Sequence, residues 1–375
     1  MATASSNADI QMEALIWLPV DYPSVATVEE LLRKRDVLTS GHERLGVDFF
    51  DPATYIHNQL LRGTSFCFRY DRNVLSRLVE VVHGKPMSKE HRVACGIQAL
   101  AQITEAFVEP NIALYELGSG CTHADAEKQL TLFRRIDHTH PQHWADLATG
   151  RANRLDPEQL ADWQGKRPKE PNYSKKLHHW QASYAACLKI ASLELMPMPA
   201  EEKMLELIRW MEEDLCFLLP GLILANRYLA PNAKRSGLFK QLRSTDRAKA
   251  LEGVSNQAWD LTLIYAWMDD LRATESTGRI VILASLDRTL HSIARWVLRA
   301  FNSECHAELA QQEMLEEEFQ RAWGAKRGRK LLNAWQAAQS RRSSHPDKAR
   351  TLTIEYTKDV ERSLREELLR SVVSP

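Results

Sequence analysis

The 375-residue chain has no excess charge of either sign: 49 Lys and Arg stand against 49 Asp and Glu. Without a global charge there is no long-range pull on polyanions, so attraction to phosphates must come from local patches. Nor is there an apolar run of the roughly 18–20 residues that cross a bilayer. The opening Met1-Ala-Thr-Ala-Ser-Ser-Asn-Ala-Asp9 has neither the basic nor the apolar region of a signal peptide. Cysteine is sparse. The six (67, 95, 121, 187, 216 and 305) form no CxxC pair, which removes the usual zinc and disulfide frameworks and predicts reduced thiols in a cytoplasmic protein. P-loop, GxSxG and HExxH motifs are missing, so ATPase, α/β-hydrolase and zincin readings lose their usual support.

What the chain does contain is a recurring unit of strand, acid and helix. Phe66-Cys-Phe-Arg-Tyr70 reads as a short buried strand closed by Asp71, and Arg72-Asn-Val-Leu-Ser-Arg-Leu78 continues as an amphipathic helix. A second buried helix is expected over Lys89–Phe107, ended by Pro110. Asn111-Ile-Ala-Leu-Tyr115 then reads as a strand leading into Glu116, and Gly118-Ser-Gly120 breaks the chain before a helix at Ala124–Ile136. The clearest strand is Arg279-Ile-Val-Ile-Leu-Ala284, followed by Ser285-Leu-Asp287 and a helix over Arg288–Phe301. A helix capped by Ser255 and running to Leu271 carries Asp260.

These patterns divide the chain into five segments. Residues 1–65 form an N-terminal extension, with one helix capped by Thr27 and another starting at Asp51-Pro52. Residues 66–138 and 255–302 are two parts of one α/β core. Residues 139–254 are a mainly helical insertion with an exposed basic loop at 150–176 and helices at about 174–194 and 200–228, the latter broken at Pro220-Gly221. Residues 303–375 form a helical tail sorted by charge: six Glu and no Lys or Arg over 304–318, nine Lys or Arg against one Asp over 321–350. The insertion and tail are expected to control substrate access or to bind a protein partner.

The acids at 71, 116, 260 and 287 sit in settings that resemble the four motifs of PIN-like domains. Asp71-Arg-Asn-Val-Leu is similar to the opening motif, a strand running into Asp-x-Asn-(apolar)-Leu. Ile112-Ala-Leu-Tyr-Glu116 resembles the second, Trp259-Asp260-Leu-Thr-Leu-Ile264 the third, and Ile280-Val-Ile-Leu-Ala-Ser-Leu-Asp287 the fourth. The likeness covers about 66–138 and 255–300. Arg72 stands where that family often has a small hydroxyl residue. The resemblance implies a small Rossmann-like parallel sheet flanked by helices, and metal-dependent phosphodiester hydrolysis, usually of RNA.

The residue types suit that chemistry. Mg²⁺ and Mn²⁺ prefer oxygen ligands, and carboxylates gathered at the C-terminal edge of a sheet repel one another unless a cation neutralises them. Asp71 and Asp287 are expected to bind the ion directly, Asp260 directly or through water, and Glu116 to orient the water or a second ion. Asn73 and Ser285 would support them. Asp269 and Asp270 tempt as a metal pair, but Asp269, about 180° round the helix from Asp260, should face elsewhere; Glu105 and Glu109 compete with Glu116 but follow no strand. An acid after a strand can also simply cap the next helix.

The basic run Lys326-Arg327-Gly-Arg329-Lys330 and the 150–176 loop are candidates for tracking a nucleic-acid backbone, with Trp163, Trp323 and Trp335 as stacking surfaces. The cluster His138-Thr-His140-Pro-Gln-His143 matches no ligand spacing and reads as surface loop; His178 and His179 read as structural. Two other readings compete with a nuclease: a helical scaffold or regulatory protein whose acids are incidental, and a degenerate PIN-like module that binds RNA without cutting it.

Overall fold

The computed structural model describes residues 18–41, 48–165, 171–175, 177–233, 235, 237–301, 307–344 and 354–370. Cys305, the run Lys166-Arg167-Pro168-Lys169 and residues 1–17 lie outside these. The chain begins with α1 (Tyr22–Arg35), β1 (Leu38–Ser40) and α2 (Pro52–Arg62). It continues through β2 (Ser65–Tyr70), α3 (Arg72–Val82), α4 (Lys89–Ile103), β3 (Phe107–Glu109), α5 (Asn111–Gly120), α6 (His123–His138) and α7 (Pro141–Thr149). Then come α8 (His178–Leu195), α9 (Ala200–Glu213), α10 (Leu219–Leu229) and α11 (Arg247–Thr277). Last are β4 (Arg279–Ala284), α12 (Arg288–Phe301), α13 (Ala307–Trp323), α14 (Ala325–Ser344) and α15 (Ile354–Arg370).

The protein is α/β and mostly helical, around a four-stranded mixed sheet in the order β1-β4-β2-β3. Strand β2 pairs in parallel with both β3 and β4, while β1 closes the far edge antiparallel to β4. Thus residues 38–40, from the N-terminal extension, belong to the sheet itself. Period-two alternation sorts the two central strands between two cores. Phe66, Phe68, Tyr70, Ile280, Ile282 and Ala284 face a core built with α1, α3, α4 and α7. Cys67, Val281 and Leu283 face a second one built with α8 to α12. Residues 139–254 feed both cores, through α7 on one side and α8 to α10 on the other. The five described cysteines are unbridged, and Cys67, Cys95 and Cys187 are buried. Among the described residues no helix is long and apolar enough to cross a membrane.

Several local expectations are corrected. Asn111–Tyr115 is the start of α5, not a strand. A short apolar run carries no period that separates the two, and here Ile112, Ala113 and Leu114 bury one face of a helix. The strand lies earlier, at Phe107–Glu109, because α4 stops at Ile103. There the Thr104 hydroxyl donates back to the Leu100 carbonyl, and Glu105 takes the left-handed φ of 50° that turns the chain out. Helix α11 starts at Arg247, with Asp246 accepting the Ala248 N–H, so Ser255 is interior and caps nothing. Asp21 caps α1, leaving Thr27 inside it. Residues 200–228 form two helices, and Pro220 sits in the first turn of α10, where its fixed φ suits a helix start.

Candidate functional site

Parallel strands β2 and β4 run in register from Ser65 opposite Arg279 to Tyr70 opposite Ala284, so they end side by side. The pairing carries on past both ends: the Asp71 N–H donates to the Ala284 carbonyl at 3.0 Å, and the Ser285 N–H to the Val37 carbonyl at 3.1 Å. The helices that follow leave to opposite faces, α3 into one core and α12 into the other. That divergence opens a crevice at the strand ends, the place where open α/β sheets bind ligands.

Asp71 occupies the N-cap position of α3, yet its carboxylate makes no cap hydrogen bond. Instead Oδ2 accepts the Ser285 hydroxyl and the Asn73 amide, each at 2.5 Å. The Ser285 oxygen in turn accepts the Asp287 N–H at 3.0 Å, while Asn73 Oδ1 accepts the Leu286 N–H at 3.0 Å. The two supports expected for the acids are therefore bonded to Asp71 and to the Asp287 turn. Beneath them, buried His291 completes the scaffold. Its Nε2–H donates to the Ser285 carbonyl at 2.9 Å, which leaves Nδ1 to accept the Thr39 hydroxyl at 2.7 Å.

Asp287 does cap its helix. Its Oδ1 accepts the Thr289 and Leu290 N–H groups at 2.7 and 3.3 Å, so capping and a role at the cavity coexist in one side chain. Glu116, from α5, pairs with Arg72 at 3.1 Å. Asp260, from α11, accepts the Gln257 amide at 3.0 Å.

All four acids line one cavity of about 460 Å³, together with Arg72, Arg77 and Lys240. Its electrostatics report the convergence. Burial lifts the Asp71 carboxyl to about 6, the Ser285 hydroxyl opposing and the Asp287 charge adding to the rise. Burial also lifts Glu116 to about 7, against the pull of Arg72 and with the push of Asp71. Asp260 is raised well above its ordinary range by burial and then by Asp71, Asp287 and Glu116, with Lys240 acting against them. Of the four, only Glu116 has an ion-pair partner among the described residues.

The donors are hard carboxylate oxygens, the kind that Mg²⁺ and Mn²⁺ prefer. Among the described residues no three His, Cys, Asp or Glu side chains are grouped so that they could hold a metal ion by themselves.

The competing acids are engaged elsewhere. Asp269 pairs with Arg272 and His179, and Asp270 and Glu109 both pair with buried Arg69. Lys326, Arg327, Arg329 and Lys330 lie on α14 and do not line the acidic cavity. Arg327 and Lys330 pair with Glu201, and Arg329 with Glu316. Trp323 and Trp335 are core residues, not stacking surfaces. Trp323 donates to Asn226 at 2.6 Å, and Trp335, 1% exposed, packs edge-on against Phe217. Trp163 is half-buried beside His138. The histidine cluster belongs to the α6–α7 junction, where His138 donates to the Arg134 carbonyl and His140 accepts the Gln142 N–H. His179 stacks on Tyr265; the His178 side chain lies outside the described residues.

Arg77, Lys240, Gln257 and His291 went unread in the sequence. His291 and Gln257 had a signal, being four residues after Asp287 and three before Asp260 on the same helices, spacings that share a face. Lys240 had none. Comparison with protein families, with curated proteins and with solved structures finds no match to this chain.

Proposed function

We propose that the protein is a divalent-metal-dependent nuclease of PIN-like type, hydrolysing phosphodiester bonds of nucleic acid, with RNA favoured. One observation carries this reading: four carboxylates far apart in sequence line a single cavity at the ends of two parallel strands, three of them without a cation. Desolvated, mutually repelling acids are an unfavourable arrangement unless function or a bound ion accounts for it. The preference for RNA rests on the motif resemblance.

In this reading Asp71 and Asp287 hold Mg²⁺ or Mn²⁺, with Asp260 beside them. Bound there, such an ion supplies a water of lowered pKa and neutralises charge on the phosphoryl oxygens. The protein's own groups do the rest. Ser285 and Asn73 fix the Asp71 carboxylate so that it spends no rotamer freedom on binding. Glu116, titrating at about 7, is poised to accept a proton at neutral pH. Arg72 holds Glu116 in orientation and brings a positive charge to the cavity wall.

The test is cleavage of single-stranded RNA in Mg²⁺ or Mn²⁺ by the protein and by its Asp71→Asn and Asp287→Asn variants, with Mn²⁺ binding followed by electron paramagnetic resonance. Loss of cleavage and weakened Mn²⁺ binding are expected in both variants. Full activity in both ends the assignment. That no three described acids are grouped to hold an ion by themselves favours a second reading, a module that binds RNA without cutting it; RNA affinity with no hydrolysis in either ion selects that one.

A further inference from the structure

Three cations line the acidic cavity, and two are committed: Arg72 to Glu116 and Arg77 to Glu80. Lys240 lines the same cavity from its exposed side and has no ion pair among the described residues. It comes from the connection between α10 and α11, a segment with no motif. The backbone there is far from relaxed. Gly237, Phe239 and Gln241 all take left-handed conformations, with φ of 88°, 43° and 60°. For a bulky aromatic and a glutamine this is an outlier that surrounding contacts must enforce.

Those contacts are built on both sides of Lys240. Arg235 and Arg243 grip one buried carboxylate, Glu194, at 3.0 and 2.8 Å, which pins the segment before and after the lysine. Phe239 is buried with its ring 4.7 Å from that of Tyr228. On the inner side the Lys240 carbonyl presses on Gly253 of α11, where a Cβ would come within 1.8 Å of the oxygen. Left-handed residues on either side, a double arginine anchor and a glycine seat together place one uncommitted cation at the mouth of an anionic cavity.

We propose that Lys240 is a phosphate-docking residue: it receives a backbone phosphate of the nucleic-acid strand beside the carboxylates, and Glu194 is the positioning residue that holds it there. The inference rests on the nuclease reading of the same site. It adds a role for the connection preceding α11, which supplies the cation that lets a polyanion approach the acids. Ion pairing with the phosphate is the whole event; no covalent bond is made or broken at Lys240.

The experiment measures affinity of the full chain for a short fluorescent single-stranded oligoribonucleotide in Ca²⁺ across a salt series, beside Mn²⁺ binding by paramagnetic resonance. Lys240→Ala should weaken RNA binding about tenfold, as for loss of one charge-assisted contact. It should also reduce the salt slope by about 0.7, the value for one phosphate on a single strand. Lys240→Arg should retain affinity. Glu194→Gln should weaken RNA binding while Mn²⁺ binding persists. Wild-type affinity and slope in Lys240→Ala overturn the proposal and leave the metal reading standing; so does failure of the native chain to bind RNA while it binds Mn²⁺. Absence of Mn²⁺ binding by the native chain, with RNA affinity still dependent on Lys240, overturns the metal reading alone.

Discussion

Replacing Asp71 by Asn should raise the stability of the metal-free protein while removing the proposed nuclease activity. The carboxyl is 6% exposed, and burial lifts it from the ordinary 3.8 to about 6. The sign follows from linkage. A carboxyl whose folded value exceeds its unfolded one favours folding only while protonated, so its contribution is complete below about pH 4 and is lost as pH rises through about 6. At about 1.4 kcal/mol per tenfold in proton affinity, the charge costs on the order of 3 kcal/mol at pH 7 to 8. Asn keeps the oxygen that Ser285 and Asn73 bond to and has no charge to desolvate, so most of that cost should be recovered. For a chain of this length the gain is a rise in Tm of roughly 4 °C. The assay is thermal unfolding in EDTA from pH 4 to 8: the two proteins should coincide near pH 4, diverge as pH rises to about 6 and keep that gap above it. Added Mn²⁺ should then raise the Tm of the native chain and not that of the variant. A variant no more stable than the parent at pH 8, or a difference that does not change with pH, refutes the electrostatic account of the cavity.

Two further outcomes test the surroundings of the site. Gly253→Ala puts a methyl 1.8 Å from a backbone oxygen that has little room to retreat, and should cost about 1–3 kcal/mol in denaturant unfolding; an unperturbed midpoint means that the Lys240 segment does not rest on α11. Trp335→Ala empties a fully packed position and should cost about 3–5 kcal/mol with RNA affinity unchanged, whereas a stable variant with weakened RNA binding restores the stacking role.

Reading the chain as a sequence succeeded where a signal is local. Phe66–Tyr70 and Arg279–Ala284 are strands because continuous apolar, β-branched or aromatic runs bounded by polar residues have few other uses. Arg72–Val82 is a helix whose buried Val74, Leu75, Leu78 and Val81 share one face. The helical angle that turned Asp269 away from Asp260 is likewise a local property, and Asp269 indeed pairs away from the cavity. Local signals failed at Asn111–Tyr115, where the run was too short to show a period, and at β1, whose three residues are a strand only because β4 lies beside them.

Residue order alone determined which acids follow strands or open helices, and that Asn73 and Ser285 stand within two positions of Asp71 and Asp287. Tertiary structure decided that β2 and β4 are neighbours, that α3 and α12 part to opposite faces, and that Glu116 and Asp260 turn into the gap between them. It also decided that Trp323 and Trp335 belong to the core, and that a lysine in an unmarked connection reaches the cavity. The division has a physical cause: backbone conformation and capping act over a few residues, whereas desolvation and charge repulsion depend on which distant segments share a space.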